Sequence, residues 1–420
     1  VEAVRDETGL PLHFHTHDTS GISAATVLAA IEAGADAVDG AVDSMSGLTS
    51  QPNLNSIVAV VAATERDPGV DQEALRALSH YWHMVRRLYA AFESDVRAGT
   101  ADIYRHAMPG GQYTNLREQA RALGIEHRWP EISDAYALVN EMLGDIIKVT
   151  PTSKVVGDMA LYMVTRGLGV KEVMDPGRDL DFPESVVGLL RGDLGQPFGG
   201  FPEDLQKKAL KGSQPLTGRP GEALRPFDFD QARSTLSAKL RRRVSETELS
   251  SWSLYPKVFE DYARHRQEYG EVGALPTPVF FYGMQESDEV EVEIERGKTL
   301  VIRYLATSEP DEQGQRRVFF ELNGQPRSVY VADQALASAA SKRAKAEEGN
   351  DSQVGSPMPG AVVAVNVKSG QLVKRGHPMF TIEAMKMQTV LRADRDGTIA
   401  EVYVEPGAQV HARDLLAVFE

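Results

Sequence analysis

Val367-Lys368-Ser369-Gly370-Gln371-Leu372-Val373 returns thirty-seven positions later as Val404-Glu405-Pro406-Gly407-Ala408-Gln409-Val410. Two such copies within residues 357–420 predict a compact domain of short strands folded as two equal halves, a flattened β-barrel with quasi-two-fold symmetry. Midway between the copies stands Glu383-Ala384-Met385-Lys386-Met387. A hairpin tip there would hold Lys386 out into solvent between two methionines. A lysine on such a tip, behind a flexible segment, could meet a modifying enzyme and then swing an attached group between distant sites.

Working outward, residues 336–356 are Ala, Ser, Lys, Glu, Gly and Asn without apolar periodicity, which predicts a flexible linker. Before them, Val290-Glu291-Val292-Glu293-Ile294 alternates with period two. Residues 318–331 carry two strand patterns around an Asn323-Gly324 turn, the signature of a hairpin. From about 115 to 265 the pattern is mostly helical, broken by Gly/Pro-rich stretches at 195–202 and 218–226. Residues 72–98 read as one long helix. At the front, residues 11–18 read as a strand, 22–33 as a helix stopped by Gly34, and 37–42 as a buried parallel strand. Strand, helix and strand at this spacing make a βαβ unit, the building block of an α/β barrel.

The chain has 420 residues, room for two to four domains. Its 42% apolar and 25% charged residues fit a globular protein in water. The net charge of −15 argues against a nucleic-acid partner. No apolar run reaches membrane-span length. The absence of cysteine excludes disulfides and thiolate ligands, so any metal must be held by His or carboxylate. A start at Val1 and no leader-like opening suggest a piece of a longer chain, with the cytoplasm as the expected compartment.

His13, His15 and His17 alternate along the first strand. Side chains two apart share a face, so either His13/His15 or His15/His17 could hold one metal ion. The same pattern also suits histidines that merely hydrogen-bond at a surface or in a core.

The Ala384-Met385-Lys386-Met387 run and the opening Pro357-Met358-Pro359-Gly360 resemble the biotin carboxyl carrier family, which implies biotin attached to Lys386. His15-Thr16-His17-Asp18-Thr19-Ser20-Gly21 resembles the metal-binding strand of the carboxyltransferase barrels, and that resemblance selects His15 and His17 as ligands to a divalent metal, Mn or Zn. The runs Ala41–Pro52 and Met108–Leu116 resemble the same family. Val149-Thr150-Pro151-Thr152-Ser153-Lys154-Val155-Val156-Gly157-Asp158 does so too, although it also reads as a helix start with Thr150 or Thr152 as cap. Lys154, Asp158, the run 112–115 and the β-rich unit 276–335 together resemble pyruvate carboxylases more than transcarboxylase or oxaloacetate decarboxylase.

That resemblance implies a catalytic role for Thr150 as proton relay, contacts to the biotin head from Ser153 and Lys154, and transfer of a carboxyl group from carboxybiotin to pyruvate to form oxaloacetate. A hydroxyl that both donates and accepts suits such a relay. The implied partners are a biotin protein ligase, a biotin carboxylase half using ATP and bicarbonate, and further copies in a homotetramer. Neither nucleic acid nor membrane is among them. The expected fold class is α/β plus β: a partial TIM-barrel remnant over 1–115, a helical extension over 116–265, a small tetramerisation or allosteric β domain over 266–335, the linker over 336–356 and the biotinyl β-barrel over 357–420. The remaining metal ligands and pyruvate-binding residues of the family belong to earlier barrel strands, so the chain alone is expected to lack a complete site. Two other functions fit parts of the pattern: the α-subunit of a biotin-dependent oxaloacetate decarboxylase, and a carrier and assembly module without catalysis.

Overall fold

The computed structural model describes residues 1–311, 313–333, 343–347, 350–384 and 387–420. Contacts gather residues 1–223 and 343–420 into one unit and residues 224–342 into another.

The first unit opens with α1 (Glu2–Thr8), β1 (His13–Phe14), α2 (Ser23–Glu32) and β2 (Ala37–Val38). The strands pair in parallel, His13 with Ala37 and Phe14 with Val38, and α2 is the crossover. The expected βαβ order is present. Its strands are two residues long rather than the six to eight read from the sequence, because β1 and β2 have only each other to pair with. His15 and His17 therefore lie just beyond the ladder. Among the described residues, β1 and β2 form a two-stranded sheet that does not close into an α/β barrel.

Then come α3 (Leu54–Val61), α4 (Gln72–Leu88), α5 (Ile103–His106), α6 (Gly110–Ala122), α7 (Trp129–Met142), α8 (Thr152–Arg166), α9 (Val170–Met174), α10 (Glu184–Arg191) and α11 (Glu203–Leu210). The helix read over 72–98 stops at Leu88. Tyr89 leaves helical geometry (φ −104°, ψ 9°) and a 3₁₀ turn over Ala90–Phe92 follows. The main core lies among α6, α7, α8 and α10, around Leu116, Tyr136, Val139, Met159, Leu161, Val186 and Leu190. Helix α8 is buried on almost every side, which suits its central place. The boundary expected at 115/116 falls inside α6, whose Tyr113 and Leu116 share this core, so the division does not exist at that point.

The second unit holds α12 (Phe229–Leu240), α13 (Glu246–Leu254), α14 (Pro256–Tyr269) and α15 (Thr277–Tyr282). Its sheet contains β3 (Glu289–Glu295), β4 (Lys298–Thr307), β5 (Gln315–Leu322) and β6 (Gln325–Ala332), antiparallel and in that order. The boundary expected at 265/266 falls within α14. The β-rich segment begins at 289 rather than 276, since Pro278 lies in the first turn of a short helix. Asn323 and Gly324 both take left-handed φ, 50° and 74°, as a two-residue hairpin turn of this type requires.

The C-terminal residues return to the first unit as β7 (Gln353–Gly355), β8 (Gly360–Val365), β9 (Leu372–Val373), β10 (Pro378–Ala384), β11 (Met387–Arg392), β12 (Gly397–Val402), β13 (Gln409–Val410) and β14 (Leu415–Phe419). Two four-stranded sheets run β11-β10-β8-β13 and β7-β14-β12-β9. The thirty-seven-residue offset carries β8 onto β12, β9 onto β13 and the start of β10 onto the start of β14. Between the sheets pack Val362, Phe380, Ile382, Ile399, Leu416 and Phe419.

The symmetry corrects the linker expected over 336–356. The strand equivalent to β11 in the second sheet must precede β8, and β7 fills that place by pairing with β14. Lys345 also bridges to Asp414, with Nζ 2.7 Å from Oδ1, and Ala346 is buried. Residues 336–342 and 348–349 of that stretch lie outside the described residues.

Gly360 shows how closely the strands approach. A side chain there would meet the Glu383 carbonyl oxygen at 2.4 Å and its carbon at 3.0 Å, both backbone atoms of β10. Gly360→Ala should therefore force β8 from β10 and destabilise the barrel by about 1–3 kcal/mol. Denaturant unfolding checks this, and a variant as stable as the parent would contradict the packing.

Candidate active site

The register of β1 on β2 places His13 opposite Ala37, so residue 15 comes level with Asp39 two positions on. His15 Nδ1 donates to Asp39 Oδ2 at 2.6 Å, and His13 Nε2 donates to Asp39 Oδ1 at 2.7 Å. Hydrogen bonds from His15 and then His13 hold the Asp39 carboxyl below its ordinary value. His17 turns the other way, and its Nδ1 donates to the Thr49 carbonyl at 2.6 Å. The rings of His15 and His17 stand edge to face with centroids 5.3 Å apart.

These partners separate the three histidines. His13 spends its Nε2 on Asp39, whereas His15 and His17 both spend Nδ1 and keep Nε2. Metal-binding imidazoles usually have such an arrangement, with the second nitrogen tied to a carboxylate or a backbone carbonyl. The two alternatives left by the sequence thus differ: His15/His17 form a pair of matched tautomers and His13/His15 do not. Among the described residues, no three His, Asp or Glu side chains converge as a metal cage.

Helix α6 joins this pair to α8. A side chain at Gly110 would meet His17 Nδ1 at 2.6 Å, so only glycine lets the helix start against the ring. Two residues on, Gln112 presses on α8, where a side chain at Gly157 would meet its Nε2 at 2.4 Å. Thr114 donates to the Thr49 hydroxyl at 2.8 Å, bracing the residue whose carbonyl holds His17. The first turn of α6 therefore touches the histidine pair on one side and α8 on the other.

Thr150 and Thr152 flank Pro151 but differ in use. The Thr152 hydroxyl lies 2.6 Å from the carbonyls of Ile147 and Val149 and accepts the Val149 N–H at 3.1 Å. Thr150 is exposed, and no hydrogen bond engages its hydroxyl among the described residues. Neither threonine caps α8, whose N-cap is Pro151. Ser153 is buried in the first turn, its carbonyl accepting from the Tyr136 hydroxyl at 3.3 Å. Burial pushes the Tyr136 hydroxyl well above its ordinary pKa.

Lys154 follows, half-exposed, with Nζ 2.5 Å from Oδ2 of the fully buried Asp158. Ser185 of α10 donates to the same oxygen at 2.7 Å. Asp158 thus fixes where the Lys154 ammonium stands. Asp158→Asn should weaken that charge-assisted bond and lower stability by about 1–3 kcal/mol. An unchanged denaturation midpoint would show that Asp158 does not hold the lysine.

Lys386 lies outside the described residues, as does Met385. The strands on either side are described, and Ala384 pairs with Met387.

Asp39, Thr49 and Gly110 were not singled out individually from the sequence, and Asp158 was singled out only as part of the family resemblance, not as the partner of Lys154. Asp39 had a readable signal, since an acid at the end of the strand beside a His-x-His strand falls into register with it. Thr49 and Gly110 had none, because each acts through a fold contact, whereas the four-residue spacing of Lys154 and Asp158 on one helix is the signal for their pairing.

Comparison with known proteins agrees in both halves of the chain. Residues 103–303 match the family described as conserved carboxylase domain, and residues 352–419 match biotin-requiring enzyme. Pyruvate carboxylase of Bacillus subtilis is 45% identical over 420 residues, covering 100% of this chain. The chain belongs to the pyruvate carboxylase family. It corresponds to the C-terminal part of those enzymes and spans 37% of the Bacillus protein. The crystal structure of a complete multifunctional pyruvate carboxylase from Rhizobium etli superposes with a TM-score of 0.75 at 55% identity, over 100% of this chain and 38% of that one. The carboxyl transferase domain of the same Rhizobium enzyme, solved with pyruvate and biocytin, matches with a TM-score of 0.75 at 57% identity, over 79% of this chain and 56% of that one. Family membership supports covalent biotin as the cofactor. Among the described residues, no helix is long and apolar enough to cross a membrane.

Proposed function

We propose that this chain is the C-terminal part of an enzyme that moves a carboxyl group from biotin on Lys386 to pyruvate, giving oxaloacetate. The observation that carries the reading is the His15/His17 pair, with both Nδ1 atoms engaged and both Nε2 atoms left over, in a chain that also bears the biotin-carrier signature. His15 and His17 fit a divalent metal, Mn or Zn, through Nε2. Bound there, such an ion would supply Lewis-acid polarisation of the substrate carbonyl. The remaining ligands and the pyruvate-binding groups come from barrel strands of the complete enzyme, of which β1, α2 and β2 are the remnant.

Thr150 is the proton relay of this reading. Its hydroxyl can take a proton from the substrate methyl group and pass it on without changing its own charge. Ser153 and Lys154 bind the biotin head, the lysine held by Asp158. The second unit is the tetramerisation or allosteric domain. Its sheet leaves Leu305, Val329, Tyr330 and Val331 exposed, apolar surface that further copies in a homotetramer would cover. A biotin protein ligase and a biotin carboxylase half using ATP and bicarbonate complete the partners.

The test joins this chain to the missing barrel strands and carboxylase half of a relative, then measures pyruvate-dependent oxaloacetate formation with ATP and bicarbonate. Formation that disappears on His15→Ala or His17→Ala supports the reading. ATP-independent oxaloacetate decarboxylation as the sole activity favours the decarboxylase, and no activity despite full biotinylation favours a carrier module.

A further inference from the structure

His106 closes α5 and is 3% exposed, yet the site described above makes no use of it. Its Nδ1 accepts from the Met108 N–H at 3.1 Å. The ring proton therefore sits on Nε2, and that N–H has no hydrogen-bond partner among the described residues. Burial pushes the His106 pKa below its ordinary value, which favours the neutral ring and leaves Nδ1 free to accept. A phenylalanine would fill the same place without a buried, unpartnered donor, and such a donor is costly. What the histidine adds is the acceptor at Nδ1.

That acceptor stands at a sharp bend. Ala107 takes left-handed geometry (φ 48°, ψ 37°), a strained choice for a residue with a side chain. Such a bend persists where its surroundings hold it. Here Met108, 2% exposed, has its N–H held by His106. Pro109 follows as the N-cap of α6, and then Gly110, whose backbone lies against the His17 ring. The His106 ring also stacks on Tyr113, with centroids 5.8 Å apart and planes 28° apart. Tyr113 in turn donates its N–H to the Pro109 carbonyl at 2.9 Å. Trp129 of α7 meets Tyr113 edge to face at 5.1 Å, which anchors the stack to a second helix. His106 is thus joined to the start of α6 by one hydrogen bond and one ring contact, four residues before Gly110.

We propose that His106 is a positioning residue for carboxyl transfer: its Nδ1 fixes the Met108 amide and so sets the start of α6 against the His17 ring. It touches neither substrate nor metal in this account and acts through Gly110 and His17. The consequence for transfer rests on the His15/His17 metal reading; the fixing of α6 does not. The two uses of the ring, as acceptor and as packing, can be separated by substitution. In His106→Phe the stack remains and the acceptor is lost. In His106→Asn the Oδ1 branches from Cγ as Nδ1 does, so an acceptor remains while the stack is lost.

The test compares both variants in the completed enzyme. It measures kcat for pyruvate carboxylation, ATP-dependent carboxylation of biotin, the denaturation midpoint, and amide hydrogen exchange of residues 107–113 after metal removal. His106→Phe should hold its midpoint, since the lost bond is offset by removal of an unpartnered donor. It should raise exchange in 107–113 and lower kcat for transfer about tenfold or more, with biotin carboxylation unchanged. His106→Asn should lower the midpoint, yet keep exchange and kcat near those of the parent. Transfer that follows the midpoint instead, lost in the Asn variant and kept in the Phe variant, makes His106 a packing residue and overturns the proposal. Raised exchange with transfer untouched in His106→Phe overturns the link to His17. Exchange that follows the acceptor, in a parent that fails to carboxylate pyruvate, sinks the proposed function and leaves the fixing of α6 by His106 standing.

Discussion

Thr150→Ala in the complete enzyme should slow carboxyl transfer to pyruvate by on the order of 10²–10⁴-fold while ATP-dependent carboxylation of biotin proceeds unchanged. The size follows from removing a positioned proton carrier that no neighbour replaces. Thr152, two residues on, cannot substitute, because its hydroxyl is committed to the backbone at Ile147 and Val149. The fold should survive, since Thr150 is exposed and no hydrogen bond engages its hydroxyl among the described residues; stability should stay within about 0.5 kcal/mol. The two half-reactions are measured separately, with oxaloacetate formed from pyruvate on one side and ATP cleavage dependent on bicarbonate on the other. Undiminished transfer in the variant would remove Thr150 from the mechanism.

Lys386→Arg should abolish biotinylation and with it the whole coupled reaction. Arginine keeps the positive charge and most of the length, so electrostatics and folding of the barrel are little disturbed. What it lacks is a primary amine that a ligase can acylate. Intact-mass measurement of protein made alongside an active ligase should show one biotin on the parent chain and none on the variant. A variant that still acquired biotin would displace the attachment point from Lys386, and the assignment of Ala384-Met385-Lys386-Met387 would fall with it.

The parts that could be read without coordinates are those whose pattern is local. The thirty-seven-residue repeat places β8, β9, β12 and β13 in two matching halves, because strand alternation and tight turns are written in neighbouring residues. The Asn323-Gly324 hairpin is legible for the same reason, as is the crossover over 13–38. Helix ends were less legible. Nothing in the apolar spacing of 72–98 marks the departure at Tyr89.

Strand β7 lay beyond such reading. Its three residues look like linker, and they become strand only because β14, some sixty positions away, offers an open edge. The domain boundaries at 115/116 and 265/266 misjudged the chain in a related way, since composition shifts there while the helices run on.

At the candidate site the same division holds residue by residue. The set His15, His17, Thr150, Ser153, Lys154 and Lys386 is legible through its resemblance to the family's motifs, while spacing alone leaves His13/His15 and His15/His17 open. Which ring nitrogen each histidine keeps, which of two threonines has a free hydroxyl and what pins Lys154 depend on Asp39, Thr49, Ile147 and Asp158. Hydrogen bonds are short and directional, so they exist only once packing has brought donor and acceptor within about 3 Å. Periodicity along the chain records which face a residue takes; the partner on that face is chosen by the folded contact.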